Sequence, residues 1–241
     1  MWEMLGLWRL NQQISNIDCM NSTLDRAQIE QLVRSSLARQ SGVVASIAKV
    51  GPNPLVVNSS ARHCHLSQAA VETLFGQDHQ LKPMKMLYQE GQYAAQESVT
   101  LIGPRSRVIS NLRILGPCRD FNQVELSFTD SISLGFKVPV TNSGNIAGTP
   151  GCMLMGPAGF LEMAEGVIRA APHVHMAPQD AAFYGVANKS YMKLRVGGEL
   201  GLTFDRIFVR VDPSFKLEVH MDTDEANACG LGPDVKCELI K

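Results

Sequence analysis

Four of the chain's six histidines fall in two His-x-His pairs, His63/His65 and His173/His175. On an extended strand, residues i and i+2 point to the same face, so each pair can offer two imidazoles to one metal ion. The middle residue, Cys64 or Val174, then turns away, which reads Cys64 as a small buried residue and not a thiolate ligand. Each site still needs a third ligand from elsewhere in the fold. His220 offers one, because it ends the alternating run Phe215–His220 and precedes the acidic turn Met221–Glu225, whose carboxylates can support a ligand. The plainer alternative is that Asp222 or Thr223 caps a helix there and His220 only packs; both can hold. Glu125 lies in the strand-like run Gln123-Val124-Glu125-Leu126-Ser127-Phe128, close to Arg119, which follows the Gly116-Pro117 turn. A guanidinium so placed can fork onto an oxyanion such as phosphate, although a solvated arginine is the safer reading of the bare sequence. His79, in the polar stretch Gly76–Gln80, reads as solvated. No Ser-His-Asp or Cys-His grouping calls for a covalent enzyme intermediate.

The elements that must carry these residues are short. Ala61-Arg62-His63-Cys64-His65-Leu66 and Ala171-Pro172-His173-Val174-His175-Met176 each lead into a short helix, and their first histidines are 110 residues apart. A period that long points to two related modules facing each other and not to a solenoid. Beyond Gly42 the chain reads as short β-type runs broken by Gly and Pro: 55–57, 98–102, 108–115, 124–128, 191–196, 206–211 and 215–220. Their spacing predicts a mainly β protein of small antiparallel sheets or barrels with short capping helices over 67–75 and 178–184, and a third from about 222. Ser22 can cap a helix over 22–39. Before it, Trp2, Leu5, Trp8 and Leu10 share one helical face, so residues 1–21 read as an amphipathic extension and linker seeking a surface.

Bulk composition narrows the classes. With 22 Lys+Arg against 23 Asp+Glu, the formal charge of -1 gives no sign of a nucleic-acid partner, and any anionic ligand must be held by local residues. The apolar N-terminal run is too short to cross a bilayer and lacks the pattern of a secretory signal, so no membrane role is expected. Six cysteines without a CxxC pair read as reduced thiols.

Taken in order, several stretches closely resemble the phosphate propanoyltransferases, the phosphotransacylases of bacterial propanediol-utilisation and related microcompartments. They are Ser60–Leu66, Gly91–Glu97, Arg113–Pro117, Gln123–Ser127, Gly148–Gly151, His173–Met176 and His220–Asn227. The resemblance runs from about Leu24 to the C-terminus. It implies two zinc ions between two small β-barrels, one made of residues 48–61 plus 171–241 and the other of 62–170. It implies His63, His65 and Glu125 on the first zinc, and His173, His175 and His220 on the second. Arg119 would bind phosphate. Coenzyme A would lie near Val57, Asn58 and Ser59, with Arg113 and Asn227 touching it. Two departures stand out: Pro172 replaces a usually basic residue, and the loop 103–107 lacks the usual lysine-glycine turn, leaving Arg105 or Arg107 for the CoA phosphates. The implied reaction is a short acyl-CoA plus phosphate giving acyl phosphate plus CoA, with propanoyl, acetyl and lactoyl groups all open. The N-terminal extension would dock into microcompartment shell or core proteins, placing the enzyme in the lumen, and the reading admits a homodimer. Two rival readings use the same histidines: a dinuclear zinc hydrolase of thioesters or phosphate esters, and a shell-associated scaffold with structural zinc.

Overall fold

The computed structural model describes residues 52–241. The extension expected over 1–21 and the helix expected over 22–39 lie outside the described residues.

Strand alternation and helix caps set the local structure. In β12 (Tyr191–Val196) Met192, Leu194 and Val196 point inward and their neighbours outward, the signature of a half-buried strand. Helix α1 (Gln68–Phe75) is capped by Ser67, whose hydroxyl accepts from the Ala70 N–H. The run read as a strand over 124–128 ends sooner, as β6 (Gln123–Glu125), because Ser127 accepts from the Asp130 N–H and starts helix α2 (Phe128–Leu134). Helix α3 (Pro178–Tyr184) begins on its proline. Asp222 caps α4 (Thr223–Ala228) in a reciprocal box with Glu225.

The described residues are mainly β, in two curled half-barrel sheets with few short helices. The six-stranded sheet runs β1 (Val56–Ser60), β14 (Glu218–Asp222), β11 (His173–Met176), β13 (Leu202–Val211), β12, β15 (Cys237–Ile240). The nine-stranded sheet runs β7 (Val140–Thr141), β10 (Val167–Ala170), β6, β2 (His63–His65), β5 (Val108–Gly116), β4 (Tyr93–Ile102), β8 (Cys152–Met155), β9 (Phe160–Met163), with β3 (Pro83–Met86) also on β4. Pairing is mixed: β1/β14, β11/β13, β2/β5, β6/β10 and β7/β10 are parallel. The chain leaves the six-stranded sheet after β1 and returns only at β11, so the strands carrying the histidine pairs meet partners distant in sequence, while β4/β5, β8/β9 and β12/β13 are hairpins. Each sheet has its own core. Leu66, Leu74, Leu101, Ile114 and Leu154 anchor one, and Val174, Met176, Leu194, Ile207 and Val219 the other.

The two crossings, at Ala61-Arg62 and Ala171-Pro172, come immediately before the two His-x-His strands. His79 is not solvated: its Nε2 lies 3.0 Å from Glu97 Oε1 and its ring stacks on Phe75. The described cysteines are all free thiols, and among the described residues no helix is long and apolar enough to cross a membrane.

Polar contacts tie the two sheets. Arg169, ending β10, donates from Nε to Asp222 at 2.5 Å and from Nη2 to Glu225 at 2.7 Å, while lying over the Phe128 ring. The three side chains are only 11–13% exposed. Replacing Arg169 by methionine keeps the stem but leaves two half-buried carboxylates without their cation, so unfolding in urea should show a loss of about 3 kcal/mol. A loss below about 0.5 kcal/mol would place this contact with ordinary surface ion pairs.

Candidate active site

The same antiparallel step builds two ligand clusters. On β2 and β6, His63 lies opposite Glu125 and His65 opposite Gln123. On β11 and β14, His173 lies opposite His220 and His175 opposite Glu218. Each His-x-His pair therefore finds its third donor directly across the ladder from its first histidine. The orientation of that first histidine is also repeated. His63 Nδ1 donates to the Ala61 carbonyl at 2.8 Å, and His173 Nδ1 donates to the Ala171 carbonyl at 2.9 Å. A carbonyl only accepts, so both Nδ1 atoms carry hydrogen and both Nε2 lone pairs face the site.

In the first cluster His63 Nε2 and His65 Nε2 are 3.2 Å apart, with Glu125 oxygens 3.5 and 3.9 Å from them. His65 Nδ1 donates to the Leu115 carbonyl, so its Nε2 is also a lone pair, and two lone pairs meet with no hydrogen between them. Tetrahedral ligands about 2.0–2.1 Å from a zinc-sized ion sit about 3.3 Å from one another. The spacing fits a cation. Burial, then His63 and Arg119, lowers the His65 pKa to about 3, so the ring is neutral and able to ligate. Burial pushes the Glu125 carboxyl upward, but His63, His65 and His173 outweigh it and hold it below its ordinary value. Burial keeps His65 and His173 neutral, so those two rings bring no full positive charge to Glu125. Neutral rings leave Glu125 with a donor, Gln123 Nε2 at 2.7 Å, and with no Lys or Arg within 4.0 Å among the described residues. The donor set fits a cation.

In the second cluster the ring centroids of His173, His175 and His220 lie 4.8–5.0 Å apart. Both nitrogens of His175 and Nε2 of His220 are buried with no hydrogen-bond partner. Glu218 Oε2 lies 3.0 Å from His220 Nε2, but off the line a ring N–H would take, so the contact is electrostatic and not a hydrogen bond. Each unsatisfied buried group costs about 1–3 kcal/mol, which a metal ion in the cluster would relieve. Burial, then the neighbouring histidines and arginines, drives the His175 pKa far below its usual value. In each triad every residue offers one donor atom within 4.8 Å of the others.

Both clusters open into one cavity of about 760 Å3. Arg119 and Arg210 line it, half-buried, and among the described residues neither has a carboxylate within 4.0 Å. Burial lowers both guanidinium pKa values, while Glu125 works against that, and arginine stays charged. Ser143 Oγ accepts from Gln123 Nε2 at 2.8 Å and from Arg119 Nη1 at 3.4 Å, at the cavity wall beside Glu125. Two guanidinium groups without a carboxylate partner, beside a hydroxyl, make a pocket for an oxyanion.

All six ligand candidates and Arg119 face this cavity, as do Asn58, Ser59 and Arg113. Val57, Asn227 and Arg105 do not. Alternation along β1 turns Val57 onto the core of the six-stranded sheet, opposite to Asn58. Asn227 is exposed on α4. The stem of Arg105 covers Gly135, whose φ of 90° and missing Cβ let the arginine lie there, and Arg107 donates to the Ser133 carbonyl. Sequence reasoning missed Arg210, Ser143, Glu218 and Gln89. For Arg210 a signal was present: Ile207 and Val209 are the buried face of β13, so Arg210 shares the other face with Phe208.

Fold and site together define a β protein with two ligand clusters and an oxyanion pocket in one cavity, suited to group transfer. A sequence model described as phosphate propanoyltransferase matches residues 56–232. A phosphate propanoyltransferase of Planctopirus limnophila is 50% identical over 235 residues, covering 95% of this chain and 96% of its own. One from Thermotoga maritima is 49% identical over 178 residues, covering 73% and 84%, and one from Salmonella typhimurium 43% identical over 192 residues, covering 79% and 90%. The chain belongs to the phosphate propanoyltransferase family and is an acyltransferase.

The pocket should bind inorganic phosphate measurably by calorimetry. Arg119→Ala or Arg210→Ala should each weaken that binding about 10- to 100-fold, the loss of one charge-assisted contact. Unchanged affinity in both variants would remove the oxyanion pocket from this face.

Proposed function

We propose that the protein transfers the acyl group of a short acyl-CoA to inorganic phosphate, using two zinc ions, inside a bacterial microcompartment. The single observation that carries the chemistry is the pair of three-ligand clusters opening into the cavity that also holds the two guanidinium groups without a carboxylate partner. Family membership supports the acyl transfer, and the relatives' shared name supports propanoyl as the group and phosphate as the acceptor.

His63, His65 and Glu125 would hold the first ion and His173, His175 and His220 the second. Zinc fits imidazole and carboxylate donors, has no redox chemistry of its own, and when bound supplies Lewis acidity for the thioester carbonyl and the departing sulfur. Arg119 and Arg210 grip the phosphate, with the Ser143 hydroxyl beside them at the cavity wall and the buried Gln123 amide holding Ser143 and Glu125 in place. Positioning is most of the task, because phosphate is a weak nucleophile until one oxygen is aimed at the carbonyl carbon. The C–O bond forms, the C–S bond breaks, and the hydrogen-phosphate proton ends on the CoA sulfur, so no acyl-enzyme is needed. CoA would run along Asn58, Ser59 and Arg113 at the cavity wall.

Metal-stripped protein should release no CoA from propanoyl-CoA and phosphate. Returning two equivalents of zinc should restore turnover, with acyl phosphate trapped as its hydroxamate. Full activity without metal sinks the zinc reading, and free propanoate in place of hydroxamate favours a hydrolase.

The microcompartment setting rests on the amphipathic pattern of residues 1–21 and on the family. Deleting those residues should leave specific activity within about twofold of the full chain and abolish co-purification with shells. A large loss of activity would tie the segment to the catalytic domain instead.

A further inference from the structure

We infer that Glu218 is the positioning residue of the second cluster, fixing His220 and completing that cluster's charge, with Gln89 holding it from the other sheet. This rests on the reading of the two clusters as cation sites.

The register makes Glu218 the counterpart of Gln123, since each lies opposite the second histidine of its pair, two residues before the third donor. Gln123 is fully buried and donates to Glu125, a carboxylate that is itself a ligand candidate. In the second cluster the chemistry is exchanged: the third donor is an imidazole, His220, and the counterpart position carries the carboxylate. Each cluster thus has one negative charge, among the ligands in the first and beside them in the second.

Glu218 is 2% exposed, and no Lys or Arg lies within 4.0 Å of its carboxylate among the described residues. Burying an ionised carboxylate without a countercharge costs several kcal/mol. Two neutral amides hold it: Asn58 Nδ2 donates to Oε1 at 2.5 Å and Gln89 Nε2 donates to Oε2 at 2.7 Å. These donors aim the carboxylate but bring no positive charge. The remaining neighbour of Oε2 is His220 Nε2 at 3.0 Å, itself lacking a hydrogen-bond partner. A carboxylate so aimed attracts a cation into the cluster and restricts the His220 ring.

Gln89 adds a link to the opposite sheet. It lies between β3 and β4, is 7% exposed, donates to the Lys216 carbonyl at 2.9 Å and accepts from the Lys216 N–H at 3.1 Å. Its one side chain therefore binds the strand entering β14 by three hydrogen bonds, one of them to Glu218.

The test is zinc competition against a chromophoric chelator, resolving two equivalents in the wild type, with His220→Ala setting the scale of full second-site loss. Glu218→Gln should weaken the second equivalent about 10- to 100-fold and leave the first unchanged. Gln89→Leu keeps the carboxylate and frees its aim, so it should show a smaller loss confined to the same equivalent; this variant decides the matter if Glu218→Gln does not fold. Unchanged affinity in these variants overturns the inference, and so does equal weakening of both equivalents, which would mark a general structural support. A wild type that takes up fewer than two equivalents overturns the cation reading itself, before any variant is compared.

Discussion

A short antiparallel step between two strands, entered directly after a crossing between sheets, is the constraint on which the site depends. It occurs twice. Each time the crossing leaves a carbonyl, of Ala61 or Ala171, that accepts from Nδ1 of the first histidine and turns its Nε2 inward. Each time the partner strand places a donor opposite that histidine. A bend of the main chain, and not a side-chain lock, thus fixes the first imidazole, so its aim is as firm as the backbone of the crossing. The apolar residues between the donors, Cys64 and Val174, are fully buried in the two separate cores. Alternation makes the same strand serve both faces: one side packs and the other ligates.

Electrostatics follow from placing these donors out of water. Five imidazoles, the Glu125 and Glu218 carboxylates and the Arg119 and Arg210 guanidinium groups share the cavity, yet neither arginine pairs with either carboxylate within 4.0 Å. In a protein with a formal charge of -1 the attraction for an anionic substrate cannot come from a global field. The cavity is lined by Arg62, Lys85, Arg113, Arg119 and Arg210 against Glu90, Glu125, Glu218 and Asp222, so its fixed charges nearly cancel and divalent ions in the clusters would make it strongly positive. That local field suits a phosphate dianion and would be focused by the low-dielectric walls.

How much of this was legible depended on whether the signal was local. The two histidine pairs were, because period two alone puts i and i+2 on one face, whereas Glu125 entered only through the family resemblance. Cys64 was read correctly as turned away for the same reason, and it is fully buried. Register was not legible. Gln123 and Glu218 are equivalent only through ladders joining strands 58 and 43 residues apart, His65 with Gln123 and His175 with Glu218, and no local pattern encodes that. Helix α2 was missed although Ser127 and Asp130 carry a capping pattern, because the apolar run before it dominated the reading. The β8, β9 and β10 strands are four residues each, too short for alternation to rise above chance. Small antiparallel sheets or barrels were expected from strand spacing, and most pairs are antiparallel; the parallel pairs arise where the chain leaves one sheet and returns, which spacing cannot reveal.

The division of labour between the sheets has a mechanical consequence. All donors of the first cluster belong to the nine-stranded sheet and all of the second to the six-stranded sheet. Each cluster is therefore held by its own core and its own ladder, whatever the other sheet does. The distance between clusters is held differently, by contacts such as Arg169 with Asp222 and Glu225, Thr129 with Asp224, and Gln89 with Lys216 and Glu218. These are polar contacts in place of a shared apolar core, and contacts of that kind between packed units permit small relative motion. Ion binding needs one sheet to be intact, whereas transfer between a bound thioester and a bound phosphate needs the two sheets in register to within a fraction of an ångström. Affinity and turnover are thereby assigned to different sets of residues, and Gln89 and Glu218 are where the two sets touch.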